Sequence, residues 1–342
     1  MKCREIIEIL ETLAPKSCAC DWDNPGLLAG RIDKDVKKIL LTLDADDAAV
    51  ERAKEIGADM LLSHHPLIFK PVKHVSDEDF IGRRLVSLIQ SDVSYYAMHT
   101  NFDSAPGCMA DIVADRLNFT DQKPLEAMGE ISGTEYGIGK TGSLKVPMKG
   151  LELAREVKNR FGLPFVTVYG SELYEDAPVV KAATCPGAGG SELKEALKAG
   201  AQAFITGDIS HHEGIDAAAQ GMMIIDAGHY GLEHIFMDFM EGFLKEKLPA
   251  DIEVVKMAVK FPAVVVEVIG FGDAPVSLRP RAEMIFGEVS LSLHANAKGG
   301  EKVTQLASLR QVSPFLQRIH QRAKRKPIPE KQAPGIGGRP VL

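Results

Sequence analysis

Short apolar runs alternate with amphipathic stretches along the first half of the chain. Apolar runs rich in β-forming residues predict buried strands, and stretches with helical periodicity predict helices between them. The predicted strands are 36–43, 59–63 and 93–98, and the predicted helices are 46–56 and 79–90. Gly57 supplies a stop signal after the first of these helices. The order strand–helix–strand–helix–strand is typical of parallel α/β layering.

The same order of elements recurs in the second half of the chain. The predicted strands there are 179–184, 203–206 and 222–226, and the predicted helices are 191–199 and 213–220. His99-Thr-Asn-Phe-Asp103 aligns with His229-Tyr-Gly-Leu-Glu233, because both segments read His-x-x-x-acid. Residues 129–168 are Gly-rich and β-leaning and are predicted to form a connecting arm. We therefore expect an α/β protein of two similar domains with a site in the cleft between them.

The pattern divides the chain into three parts. These are a first α/β half at 1–128, the connecting arm with the second half at 129–258, and an atypical C-terminal tail at 259–342. The whole chain carries a net charge of −7, but from Phe271 onward twelve Lys/Arg face five Asp/Glu. The tail is therefore basic and the body acidic. The Pro/Gly-rich end of the tail predicts partial disorder, and we expect the tail to be dispensable for folding and metal binding.

Composition excludes several classes of protein. The charged fraction of 25% and the apolar fraction of 45% are those of a globular domain. The five cysteines are odd in number and form no Cys-x-x-Cys pair, so we expect reduced thiols in a cytoplasmic protein. A metal contact at Cys18-Ala-Cys20 is the less favoured alternative. No apolar run approaches the ~20 residues that a membrane helix needs. With this negative charge, we expect neither a membrane nor a nucleic acid as partner.

Histidines concentrate where predicted strands end. His64 and His65 follow the strand at 59–63, and His99 and His229 follow a strand in each half. Ligand sites in α/β proteins form beyond the carboxyl ends of the strands. Neighbouring side chains at a strand exit point to opposite sides, so the pair His64-His65 can serve two ions rather than chelate one.

The residue types at these exits suit a metal. Imidazole combined with carboxylate binds zinc, manganese, iron, cobalt or nickel, and the donor set does not choose among them. A carboxylate can bridge two such ions, and the pair then activates a shared water. A single His-His dipeptide is a weak signal, and we interpret the second one, His211-His212, as structural or supporting. The convergence of three strand exits is what favours a metal site.

Five motifs in order make the sequence resemble a known family. They are Trp22-Asp-Asn-Pro-Gly-Leu27, Ser63-His-His-Pro-Leu-Ile68, His99-Thr-Asn-Phe-Asp103, Thr206-Gly-Asp208 and Gly228-His-Tyr-Gly-Leu-Glu233. Together they resemble the GTP cyclohydrolase I type 2 homologue family, also called the Nif-three-like dinuclear metal-centre hexameric proteins. The resemblance covers roughly residues 1–258. Pro25 stands where the family's motif usually has valine.

The resemblance carries expectations about the site and the assembly. It implies two divalent metal ions per subunit, with zinc, iron or manganese expected, and a ring-shaped homohexamer. The metal ligands that it implies are His64, His65, Asp103, His229 and Glu233. It also implies the short form of the family, because His65 and His229 are only 164 positions apart, which leaves no room for an inserted domain.

Two functions of different classes follow from these expectations. The first is a metal-dependent hydrolase resembling GTP cyclohydrolase 1 type 2, which opens the purine ring of GTP or acts on a related nucleotide or phosphoester. His99 is the expected catalytic residue, as a proton shuttle. The loop 185–190 could hold a phosphate, although an ordinary tight turn is the favoured interpretation. The alternative function is a non-enzymatic hexameric scaffold, metal carrier or regulatory partner.

Overall fold

The computed structural model of this chain describes residues 1–265. Most of the predicted tail, 259–342, lies outside the described residues. No helix among residues 1–265 is long and apolar enough to cross a membrane.

A five-stranded sheet forms the first half of the fold. In spatial order its strands are β1 (Gly26–Ala29), β4 (Ser94–Ala97), β3 (Met60–Ser63), β2 (Lys38–Thr42) and β11 (Glu253–Lys256). The last four run parallel to one another, and β1 pairs with β4 in the antiparallel sense. The middle strands are buried on both faces, as parallel strands covered by helices are. This burial explains why the sequence shows continuous apolar runs there instead of alternation.

Five α-helices lie in the first part of the chain, before the strand β5 (Phe119–Ile131). They are α1 (Cys3–Leu13), α2 (Asp47–Glu55), α3 (Phe80–Gln90), α4 (Thr100–Ser104) and α5 (Met109–Arg116). The starts of two helices are fixed by side-chain caps, since Asp46 accepts a hydrogen bond from the Ala49 amide and Asp79 from the Gly82 amide. The predicted strands and helices of the first half are thus confirmed within a few residues of their expected ends.

A six-stranded sheet forms the second half. In spatial order its strands are β5 (Phe119–Ile131), β6 (Thr134–Met148), β8 (Val179–Ala188), β9 (Ala203–Gly207), β10 (Met223–Asp226) and β7 (Thr167–Tyr169). Its helices are α6 (Gly150–Arg160), α7 (Leu193–Lys198), α8 (His211–Ala219), α9 (His229–Glu233) and α10 (Ile235–Lys247). Strands β8, β9 and β10 are parallel, and β7 pairs with β10 in the antiparallel sense.

The two sheets repeat one plan, which confirms the prediction of two similar α/β halves. The order β1-β4-β3-β2 in the first sheet corresponds to β7-β10-β9-β8 in the second. Each set has three parallel strands and one antiparallel strand beside the third. In each half a short helix that starts at or just after a histidine follows the third parallel strand, as α4 after β4 and α9 after β10.

The segment at 129–168 differs from the connecting arm that the sequence suggested. It contributes most of the hairpin β5–β6, the helix α6 and the strand β7, all of which belong to the second half. The sheets also do not divide at residue 128, because β5 begins at Phe119 and β11 joins the first sheet. The division into 1–128 and 129–258 stays a prediction about folding units.

One apolar core joins the two sheets. Ile39 and Leu41 of β2 share it with Ile205 of β9 and Ile225 of β10. Leu40, between the first two, points to the opposite face and packs in a separate cluster with residues of α2 and α3. Because successive side chains of a strand alternate between faces, each parallel strand serves both layers. The shared core fixes the relative position of the strand ends that carry the site.

Candidate metal centre

Three strand ends supply the candidate ligands, and the structure brings these ends together. The candidate ligands are His64 and His65 directly after β3, Asp103 within α4, and His229 and Glu233 on α9. His99, the candidate catalytic residue, directly precedes α4. In both short helices the histidine and the acid are four positions apart, so their side chains lie on one face. The cluster lies beyond the carboxyl ends of parallel strands, where α/β proteins bind ligands.

Two glycines allow the backbone to approach this cluster closely. A Cβ on Gly207 would lie 2.3 Å from the backbone nitrogen of His229. A Cβ on Gly187 would lie 2.7 Å from Oε1 of Glu233. Any side chain at either position would push against a candidate ligand, so glycine is required by the packing of the site.

Glu233 stands between two groups of side chains, and its side chain is 3% exposed. We call His64, Asp103 and Oε1 of Glu233 the closed side. The Nε2 atom of His64 lies 3.4 Å from Oδ1 of Asp103 and 3.6 Å from Oε1 of Glu233. The side chain of His64 is fully buried. Its Nε2 and Oδ1 of Asp103 are buried atoms without a hydrogen-bond partner among the described residues.

These two unpartnered atoms fit a metal ion. Buried polar atoms without partners are rare in folded proteins, because each costs about 1–3 kcal/mol. An imidazole nitrogen and a carboxylate oxygen are both donors to divalent transition metals. The nitrogen and oxygen donors of His64, His65 and Glu233 also lie within 4.8 Å of one another. The residues at this site could therefore hold a metal ion.

The other oxygen of Glu233 faces what we call the open side, formed by His65 and His229. Oε2 of Glu233 lies 2.9 Å from Nε2 of His65 and 3.1 Å from Nε2 of His229. The two imidazole nitrogens are 3.0 Å apart. Their side chains are 21% and 32% exposed, so solvent reaches this side.

The imidazoles of His64, His65 and His229 are each held through Nδ1, the ring nitrogen that faces away from the cluster. The Nδ1 contacts are His64 to the Met98 carbonyl at 2.7 Å, His65 to Asp44 at 2.7 Å and His229 to Asp208 at 2.9 Å. A carbonyl or carboxylate oxygen accepts, so Nδ1 donates in each case. Supports of this kind fix the ring orientation of metal-binding histidines and leave Nε2 to the metal.

The charges of the cluster are strongly coupled. Burial by itself would lower the pKa of each histidine, but the neighbouring carboxylates outweigh it. They raise the pKa of His64 to about 10 and those of His65 and His229 to about 9. Burial would raise the pKa of Glu233, but His64 and His65 hold it well below its ordinary value. The cluster therefore stabilises the protonated imidazoles, and a metal ion would compete with protons for the same nitrogens.

His99 lies beside the cluster rather than inside it. Its ring centroid is 5.5 Å from that of His64 and 5.7 Å from that of His65. Its Nδ1 donates to Oδ1 of Asp23 at 2.8 Å. Burial would raise the pKa of Asp23, but the hydrogen bond from His99 and that residue's charge lower it to about 2. Asp23 is therefore a carboxylate that orients His99.

A cavity of about 690 Å³ adjoins the open side. His65 and His229 belong to its lining, together with Phe80, Arg84 and Tyr230. Pockets for small molecules have volumes of about 300–1,000 Å³. The cavity therefore has the size for a small organic molecule in contact with the residues of the open side.

Three other features singled out in the sequence supply no candidate ligand to this centre. The cysteine at position 18 is buried and the one at 20 half-buried, and the metal-type cluster among residues 1–265 includes neither. The second His-His pair is exposed at the start of α8. At the loop 185–190, β8 continues to Ala188 and a 3₁₀ turn follows, so α7 begins later than the sequence suggested and has six residues.

Sequence reasoning missed the residues that position the ligands. Asp23 and Asp208 belong to motifs that carry the family resemblance, but no role was predicted for their carboxylates. Asp44 belongs to no motif, although it lies two residues after the end of β2, and the strand-exit rule could have identified it. Arg84, on the helix α3, gave no signal along the sequence.

Comparison with known proteins gives one consistent result. The Duf34/NIF3 (NGG1p interacting factor 3) family matches residues 1–262. The GTP cyclohydrolase 1 type 2 homolog of Clostridium perfringens is 34% identical over 258 residues, which cover 74% of this chain and 95% of that protein. The homolog of the same name from Methanocaldococcus jannaschii is 30% identical, and the match covers 75% of this chain and 99% of that protein.

Solved structures agree with the fold. Reduced HcgD from Methanocaldococcus jannaschii is 30% identical, with a TM-score of 0.65 over 75% of this chain and 97% of that chain. A Bacillus cereus protein related to NIF3 gives a TM-score of 0.69 over 78% of this chain and 99% of that chain, at 22% identity. The near-complete coverage of these relatives agrees with a short form that has no inserted domain.

Proposed function

Because the chain belongs to the Duf34/NIF3 family, we propose that it is a metal-dependent hydrolase with a dinuclear centre. The proposed ligands are His64, His65, Asp103, His229 and Glu233. The single observation that carries the proposal is the position of Glu233. One of its oxygens faces the closed side and the other faces the open side, so one carboxylate can serve two ions.

Each side has two donor atoms of its own and shares the carboxylate of Glu233 with the other side. The closed side offers Nε2 of His64 and a carboxylate oxygen of Asp103, and the open side offers Nε2 of His65 and of His229. Glu233 adds one oxygen to each. Zinc, iron and manganese suit such mixed nitrogen and oxygen donors. The chemistry that a pair of such ions supplies is the activation of water for hydrolysis.

The chain itself supplies the proton transfer. Asp23 holds Nδ1 of His99, which leaves Nε2 free to take or give a proton. The cavity beside the open side admits a small molecule, and nucleotides or other phosphoesters are the proposed substrates. The name of the relatives, GTP cyclohydrolase 1 type 2 homolog, supports a nucleotide.

The test begins with metal content. The protein is purified, reconstituted separately with zinc, manganese and iron, and analysed for bound metal. We expect about two ions per chain. The loaded protein is then screened for turnover of nucleotides and phosphoesters, with Asp103→Ala as the inactive variant. A content of zero or one ion in all three reconstitutions would refute the dinuclear centre.

The same experiment separates the hydrolase from its alternative. Two bound ions without turnover of any nucleotide or phosphoester would favour a scaffold, metal carrier or regulatory partner. We also propose a homohexamer, carried over from the sequence resemblance. Light scattering at micromolar concentration tests the assembly, and a monomer alone would contradict it.

A further inference from the structure

The cavity at the open side has an unusual charge arrangement. Its lining contains three aspartates, at positions 44, 46 and 208, and one cation besides the histidines, Arg84. Each aspartate already has a partner in the protein. Two accept from Nδ1 of His65 and of His229, and the third caps α2. The acids are therefore engaged in holding the site and the helix, and Arg84 is the lining cation that remains for a ligand.

Arg84 is held in place with part of its donor set unused. Its Nε donates to Oδ1 of Asp47 at 2.8 Å. Its guanidinium lies 5.1 Å from the ring centroid of Phe80, one helical turn earlier on α3. The side chain is 18% exposed. Its two terminal amino groups donate no hydrogen bond to any residue in the described range 1–265.

Asp47 does not cancel this charge. The same carboxylate also faces Arg83, at 3.7 Å, so two arginines share one acid and one positive charge remains. A guanidinium fixed at Nε presents its terminal amino groups as a planar pair, which suits the two oxygens of a phosphate. The cation–π contact with Phe80 limits its movement.

We propose that Arg84 is the specificity-determining residue of this cavity and binds the phosphate of a small organic phosphate. The apolar or aromatic part of that molecule packs against Phe80 and Tyr230, and its reacting end lies at His65 and His229. The inference rests on the proposed function, because it names the residue that recognises the phosphate of that function's substrate. It assigns the recognition of phosphate to a helix of the first half, outside all the motifs that carry the family resemblance.

The chain offers a matched control at the next position. Arg83 has the same charge and the same partner, Asp47, but it does not line the cavity. Arg84→Gln and Arg83→Gln thus remove equal charge from the same cluster. Arg84→Lys keeps the charge and loses the planar pair of donors. Thermal melting of each variant checks that the fold is intact.

The experiment measures binding to the metal-loaded protein by calorimetry. The probes are guanosine 5′-monophosphate and adenosine 5′-monophosphate, each compared with its uncharged nucleoside. We expect Arg84→Gln to weaken binding of the monophosphates by about 10- to 100-fold, since a charged hydrogen-bonding group is lost. We expect Arg84→Lys to give an intermediate loss and Arg83→Gln a change below about twofold. Nucleoside binding should be unchanged in all variants.

Two results would overturn the inference. One is an equal loss of monophosphate affinity in Arg84→Gln and Arg83→Gln, which would mean that a general electrostatic attraction, and not a specific contact, holds the phosphate. The other is wild-type protein that binds the monophosphates no better than the nucleosides. Failure of the proposed function gives a different pattern: monophosphate binding that depends on Arg84, with two ions bound and no turnover. Turnover of a phosphate substrate with an unchanged KM in Arg84→Gln would refute the inference and leave the hydrolase intact.

Discussion

The two oxygens of Glu233 face environments of opposite character. On the closed side His64 is fully buried, and its Nε2 and the facing Asp103 oxygen have no hydrogen-bond partner among residues 1–265. On the open side His65 and His229 are partly exposed, contact each other and line a cavity. The first environment suits an ion that stays in place, because buried unpaired groups need a partner. The second suits an ion that meets solvent and substrate.

The largest expected effect comes from removing the carboxylate that both sides share. In Glu233→Gln the amide keeps one acceptor oxygen and replaces the other with a donor, so one side faces an NH₂ group. We expect loss of both ions and a fall in turnover of more than about 100-fold, because both sides lose the negative charge of the carboxylate that they share. Elemental analysis and turnover of the same sample measure this.

The control for that variant is Glu241→Gln on α10, where the carboxylate pairs with Lys245 and Lys256 at the surface. It should keep both ions. If Glu233→Gln also keeps both ions, the carboxylate does not join the two sides.

Single-side substitutions should each cost one ion but differ in stability. His64→Ala removes a fully buried ring that packs on Phe236, at 5.2 Å between centroids. We expect it to lower the free energy of unfolding of the metal-free protein by about 2–4 kcal/mol, the range for large buried side chains. His65→Ala, at a partly exposed position, should cost about 1 kcal/mol.

Denaturant unfolding after treatment with a chelator measures both values, and metal analysis of the untreated variants counts the remaining ions. Equal destabilisation by the two variants would show that the closed side is no more tightly packed than the open side.

The repeat provides the next comparison, between His99 and His229. We expect His229→Ala to lose at least one ion, because it removes a donor from the open side. We expect His99→Ala to keep both ions and to lose about 10²–10⁴-fold in turnover, the usual contribution of a general acid–base group. Each variant is checked for intact assembly. An empty site in His99→Ala would make His99 a ligand, and full turnover would leave it a structural residue.

The smallest effect should come from the residues that hold the open-side imidazoles. Asp44→Asn and Asp208→Asn weaken the acceptors at Nδ1 of His65 and His229. We expect a loss of about 10- to 100-fold in affinity for one ion only, measured by competition with a chelator. Asp46→Asn is the matched control, since it also lines the cavity and asparagine caps a helix as well as aspartate does. Loss of both ions in either variant would contradict the separation of the two sides.

The sequence predicted much of the fold because the parallel strands are buried on both faces. Such strands read as continuous apolar runs between amphipathic helices, and runs like 36–43 and 203–206 were recognisable for that reason. The hairpin β5–β6 and the helix α6 were less visible. Strand β5 is largely exposed, so its residues do not show the apolar pattern of a core strand. The position of β11 in the first sheet depends on a long return of the chain, which local patterns do not encode.

The candidate site divides in the same way. The family resemblance implied the five candidate ligands, and the strand exits predicted that these residues and His99 lie where side chains converge. Nothing along the sequence separates a closed from an open side. That separation depends on which oxygen of Glu233 faces which histidine, and on burial of His64 by α10, whose residues are distant along the chain.

The sequence by itself determined the two similar α/β halves and the three strand exits, and its resemblance to a known family implied the candidate ligands. The halves and the exits follow from local apolar periodicity, which a linear chain displays. Only the tertiary structure decided that Asp23, Asp44 and Asp208 orient the imidazoles and that Arg84 lines the cavity. Their roles depend on contacts between residues far apart in sequence, which form only when the shared core brings the two sheets together.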